Sequence, residues 1–178
     1  MEKHFPWGKH FPWGKTLSKL HLQSLDRSKD PDQKTMLKNI NHVNIVVSKL
    51  EETKAFFIQL GFEVGDASGL SGEWISSIVG LPDVEARYVT LSLPNTETNL
   101  ELIEYASPPS GKDPYMDKAN QIGFRHIAFE VDNIDDEVSR LKDKGLKFLS
   151  AVHTYPKTGK QLVYLWGPDR ILLELAQY

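Results

Sequence analysis

Asn41-His42-Val43-Asn44-Ile45-Val46-Val47 lies on Arg125-His126-Ile127-Ala128-Phe129-Glu130-Val131 without a gap, and the register runs on through a helical stretch to Gly61 and Gly145, 84 residues apart like the two histidines. Such a duplication settles architecture before any propensity is weighed. Within each copy the opening segment alternates as a strand covered on one face. Val43, Ile45 and Val47 share one side, as do Ile127, Phe129 and Val131, while His42 and His126 fall on the other. A helix start follows. Ser48-Lys49-Leu50-Glu51 has the capping-box pattern, and Asp132 or Asn133 serves as the second cap. Leu50, Phe57 and Leu60, then Ile134, Val138 and Leu141, recur at helical spacing and predict one apolar stripe per helix. Gly61 and Gly145 stand where a left-handed C-terminal cap belongs.

Period-two patterning returns after each helix. It predicts strands at 62–64, 87–93 and 99–105 in the first copy and at 147–149, 161–166 and 171–176 in the second. Each copy therefore reads as βαβββ, and the fold class as α+β. The last strands also match, Leu100-Glu101-Leu102 with Leu173-Glu174-Leu175. The first copy is longer through residues 65–84, which read as a glycine-rich loop covering the site. The organisation expected is a single domain over 36–178, with module one at 38–107, a turn-rich linker at 108–120 and module two at 121–178.

Residues 1–35 differ in kind. Lys3–Gly8 and Lys9–Gly14 are one hexad, Lys-His-Phe-Pro-Trp-Gly, in tandem, with no strand or helix periodicity. They read as a leader or tag-like extension outside the fold. This stretch carries seven Lys and Arg against four Asp and Glu, so the formal net charge of −3 conceals a body near −6. An acidic body without a basic stripe argues against nucleic-acid binding. No apolar run approaches the roughly 18 residues of a membrane span. Cysteine is absent, which excludes disulfides, thiolate metal sites and a cysteine nucleophile, and fits a cytoplasmic protein.

Glu101 lies between Leu100 and Leu102, and Glu174 between Leu173 and Leu175, so each acid faces away from the helix side of its strand, as each histidine does. A single strand histidine or glutamate is usually a hydrogen-bonded or solvated residue. Four at duplicated positions are a different matter.

These segments, with Phe56-Phe57-Ile58-Gln59-Leu60-Gly61-Phe62 and Gly123-Phe124-Arg125-His126 running on to Asp132, resemble the vicinal oxygen chelate superfamily. Its members include glyoxalase I, methylmalonyl-CoA epimerase, extradiol dioxygenases, and the bleomycin and fosfomycin resistance proteins. The resemblance covers about residues 38–178. It implies two modules curled into a mixed-sheet cup with helices outside, a homodimer, a small-molecule substrate, and one divalent metal ion held by His42, Glu101, His126 and Glu174. Two imidazoles and two carboxylates suit Ni, Co, Zn, Mn or Fe.

The implied activity is that of an isomerase or lyase of glyoxalase I or epimerase type. It would abstract a proton next to a carbonyl through a metal-stabilised enediolate, with Glu174 and then Glu101 as the proton-moving groups. Tyr88, Thr90, Tyr164 and Trp166 alternate with apolar neighbours and are expected to line the cup as substrate contacts. His153, Lys157 and Lys160 are candidates to meet an anionic substrate tail. Two alternatives stand beside this. One is an extradiol ring-cleaving dioxygenase, which Glu101 disfavours as a fourth protein ligand; the other is a drug-binding or resistance protein. Gly167-Pro168-Asp169-Arg170 replaces the family's usual Asp-Pro-Asp-Gly turn, and the epimerase's His-Pro-Lys stretch is missing.

Overall fold

Both opening strands form at the predicted histidines, β1 at His42–Val46 and β5 at His126–Glu130, and each leads into a ten-residue helix, α1 at Leu50–Gln59 and α3 at Ile134–Asp143. The computed structural model describes residues 37–94 and 96–178, so the extension expected at 1–35 lies outside the described residues. Module one continues with β2 (Glu63–Ser71), α2 (Glu73–Val79), β3 (Glu85–Ser92) and β4 (Asn99–Ser107). Module two continues with β6 (His153–Thr154), β7 (Gln161–Trp166) and β8 (Leu172–Gln177).

The two copies fold alike. One sheet has the order β1-β4-β3-β2 and the other β5-β8-β7-β6, each with a parallel first pair and antiparallel pairs beyond it. Registers repeat as well: Asn44 opposes Glu101, and its duplicate Ala128 opposes Glu174. The predicted helix stripes are buried, with Leu50, Phe57, Ile134, Val138 and Leu141 in one core that takes in Leu102 and Leu173 from the last strands. That core joins the modules. Phe57 meets Phe62 edge to face, and Phe62 meets Phe129 of module two in the same way.

Three local expectations are corrected. Residues 65–84 are no loop: β2 pairs with β3 out to Ser71, and α2 follows. Glycines at 65, 69 and 72 look like chain breakers, but β2 is an edge strand with a bulge between Val64 and Ala67. At Gly65 a Cβ would stand 2.6 Å from Thr90 Oγ1, so glycine permits this close approach. In module two, 147–149 makes only the bridge Phe148 to Leu165; the chain then bends, and the fourth strand is His153–Thr154.

The third correction concerns helix starts. Lys49, not Ser48, is the N-cap of α1, and no side chain caps there. Instead Glu104 accepts from the Leu50 amide at 3.0 Å, while Ser48 donates its amide and hydroxyl to Asp169, 121 residues away. In α3 the cap is Asn133, whose Oδ1 accepts from the Asp136 amide, and Gln177 accepts from the Ile134 amide at 2.8 Å. Glu104 and Gln177 each lie three residues after a duplicated acid. The last strand of each module thus holds the first turn of its own helix.

Gly61 and Gly145 adopt φ of 99° and 85°, the left-handed caps expected of them. Gly61→Ala meets no atom within 4 Å, so its cost is purely conformational. It is expected to lower stability by about 1 kcal/mol in urea unfolding, with the native spectrum unchanged.

Candidate functional site

Period two sets the site. On β4, Leu100 and Leu102 enter the core, which turns Glu101 and Ile103 to the opposite face; on β8, Leu173 and Leu175 do the same for Glu174. Parallel pairing then sets each histidine beside its acid. His42 Nε2 stands 3.9 Å from Glu101 Oε1, and His126 Nε2 stands 3.3 Å from Glu174 Oε2. Both predicted pairs form. The pairs stay separate, for among the described residues no three His, Asp or Glu side chains gather as a metal cluster.

The two acids have unlike surroundings. Glu101 keeps 23% of its side chain exposed and accepts from Asn44 Nδ2 at 2.9 Å. Glu174 keeps 5% and meets Lys160 Nζ at 2.9 Å on Oε1. Asn44 was not among the candidates, although its place two residues after His42 on the same face was a signal for it. Lys160, considered only for a substrate tail, proves to be the partner of the buried acid. Its ammonium is held above the usual lysine value by the hydrogen bond to Glu174 and next by Tyr178, whose ring lies 4.9 Å away.

Of the four expected substrate contacts, Tyr164 is the most closely tied to the site. It opposes Glu174 across β7 and β8, and its ring stands edge-on to His126 at 5.1 Å. Burial, followed by a hydrogen bond with Glu174, raises its phenol above the ordinary tyrosine value, so it stays protonated and able to donate at neutral pH. Trp166 lies two residues on, and its buried indole N–H finds no acceptor among the described residues. In module one Thr90 opposes Glu101 but donates to the Asp66 carbonyl at 3.2 Å. Tyr88 packs instead into a small second core with Ile75, Val84, Ala86 and Ile103.

That second core places α2 on the Glu101 face of its sheet, since Ala86, Tyr88 and Ile103 all alternate away from the main core. The segment read as a covering loop is therefore a helix packed on that face. Trp74, Ile78 and Leu81, within and just after α2, remain exposed. No helix among the described residues is long and apolar enough to cross a membrane.

A family model described as the Glyoxalase/Bleomycin resistance protein/Dioxygenase superfamily matches residues 39–175. Mitochondrial methylmalonyl-CoA epimerase of Homo sapiens is 32% identical over 147 residues, covering 79% of this chain and 74% of that protein. The uncharacterized protein YwkD of Bacillus subtilis is 31% identical over 144 residues, covering 80% and 98%. Among solved structures, a glyoxalase family protein from Bacillus cereus superposes with a TM-score of 0.74 at 28% identity, covering 82% of this chain and 97% of that one. A fosfomycin resistance protein from Listeria monocytogenes, complexed with Mn(II), shares the fold with a TM-score of 0.51 at 18% identity, covering 79% and 92%.

Proposed function

Because the chain belongs to the Glyoxalase/Bleomycin resistance protein/Dioxygenase superfamily, we propose that it is a divalent-metal-dependent isomerase of epimerase type, moving a proton on the carbon next to a carbonyl. The carrying observation is the duplicated pair, His42 with Glu101 and His126 with Glu174, on matched strands and matched faces. The epimerases among its relatives support this choice of reaction.

The donors suit such an ion pair by pair. Each pair sets an imidazole nitrogen beside a carboxylate oxygen, at 3.3 Å for His126 with Glu174 and 3.9 Å for His42 with Glu101, the mixed nitrogen and oxygen donors that such an ion would take. His42, Glu101, His126 and Glu174 would hold the ion together, which requires the two pairs to share it. When bound, the ion supplies Lewis acidity that offsets negative charge developing on the substrate carbonyl oxygen.

The chain's own groups do the rest. Glu174, buried and screened from water, takes the proton from the carbon and later releases it to solvent, and Glu101, better hydrated, draws a proton from water and delivers it to the opposite face. Tyr164 donates toward the site from beside Glu174, and Trp166 stands two residues further along the same face of β7.

Deuterium exchange tests this directly. Protein loaded in turn with Mn, Co, Ni or Zn is incubated with methylmalonyl-CoA in D2O, and deuterium at the carbon between the carbonyls is read by mass spectrometry. Incorporation is expected with at least one metal and is expected to stop on chelation. No exchange with this thioester, and none with the hemithioacetal of methylglyoxal and glutathione, sinks the proton-transfer assignment. Light scattering of the same samples tests the accompanying homodimer expectation.

A further inference from the structure

The duplication exposes a difference that the isomerase proposal does not use. Thr90 opposes Glu101 and Tyr164 opposes Glu174, so the position four residues earlier is Ala86 in β3 and Lys160 just before β7. One module places a methyl group there and the other an ammonium. The carboxylates require this difference. Glu101 is partly hydrated and accepts from a neutral amide, whereas Glu174 is nearly dry, and a buried carboxylate with no counter-charge is strongly disfavoured.

We infer that Lys160 is an internal cation that holds Glu174 when no divalent ion is bound, so that an ion approaching Oε2 beside His126 shares the carboxylate with the Lys160 ammonium on Oε1 and takes both oxygens only by displacing it. This rests on the proposed metal site. The lysine is suited to exchange: its side chain is 24% exposed, its ammonium lies over the Tyr178 ring, and its four-carbon stem can carry the charge outward to water. Lys160 is thus a positioning residue that makes the duplicated acids unequal. It keeps the Glu174 carboxylate turned to the site face before loading, and it competes with the ion for that carboxylate.

The direction of the effect separates exchange from simple structural support. With the competing cation removed, Mn(II) meets an uncompensated buried carboxylate and binds more tightly, on the order of tenfold or more. Full-length wild-type, Lys160→Gln, Lys160→Met and Lys160→Arg proteins are titrated with Mn(II) alone, and free Mn(II) is followed by its paramagnetic resonance signal. Gln keeps a donor for Glu174 without the charge and is the variant of choice if Met fails to fold. Tighter binding by the Gln or Met variant, with Arg at the wild-type value, is the expected result. The rise in melting temperature on adding saturating Mn(II) is expected to be larger in the Gln variant as well. Unchanged or weaker binding by both neutral variants, beside clear wild-type binding, overturns the exchange while leaving the metal site intact. Absence of Mn(II) binding by the wild type removes both.

Discussion

Glu174→Gln is expected to lower metal-dependent deuterium exchange by on the order of a thousandfold, within the range general acid and base groups contribute. Gln has nearly the same shape, so the core packing of Leu173 and Leu175 on either side is retained. An amide cannot take a proton at neutral pH, and it offers Lys160 and His126 no negative charge. Initial rates at saturating metal separate lost chemistry from lost metal affinity. Glu101→Gln provides the complementary test. If the acids serve opposite faces of the carbon, this variant stops interconversion of the two epimers while still allowing one of them to exchange its proton with solvent. A Glu174→Gln protein that keeps more than about a tenth of the wild-type rate at saturating metal would falsify the role given to Glu174.

The largest stability effect is expected at Phe57. Phe57→Ala should cost about 3–5 kcal/mol, the usual range for removing a large aromatic from a core that relaxes only in part. Phe57 is 0% exposed, stands edge-on to Phe56 and Phe62, and through Phe62 reaches Phe129 in the other module. The cavity would therefore open where the two copies share one core. Urea unfolding followed by tryptophan fluorescence and by far-ultraviolet dichroism measures the loss. Coincident transitions are expected for wild type and variant, because a shared core makes the modules unfold together. A cost below about 1 kcal/mol would mean that the site collapses freely and that Phe57 does not tie the modules.

Much of the fold was legible in local periodicity. The duplicated strand, the helix stripes and the glycine caps each follow from a rule spanning a few residues, and each reappears in the structure. The site face was legible for the same reason, because an acid between two core leucines has only one side to occupy. The continuation of β2 past residue 64 escaped because its glycines look like breaks, yet an edge strand tolerates them once β3 supplies the hydrogen-bond partners. Ser48 escaped because its local capping pattern lost to Asp169, which the chain brings back from the far end of module two.

By itself, the order of residues determined that the protein is two copies of one βαβββ unit and that His42, Glu101, His126 and Glu174 lie on the faces turned from α1 and α3. Those properties depend on alternation and repetition, which a strand carries with it wherever it packs. Only the tertiary structure decided that Glu174 is the dry acid, that Lys160 is its counter-charge, and that Asn44 serves Glu101 instead. Burial and pairing are properties of what surrounds a side chain. Here Glu101 takes its partner from 57 residues away across a parallel pair, and Glu174 takes its own from 14 residues away beside the adjoining strand.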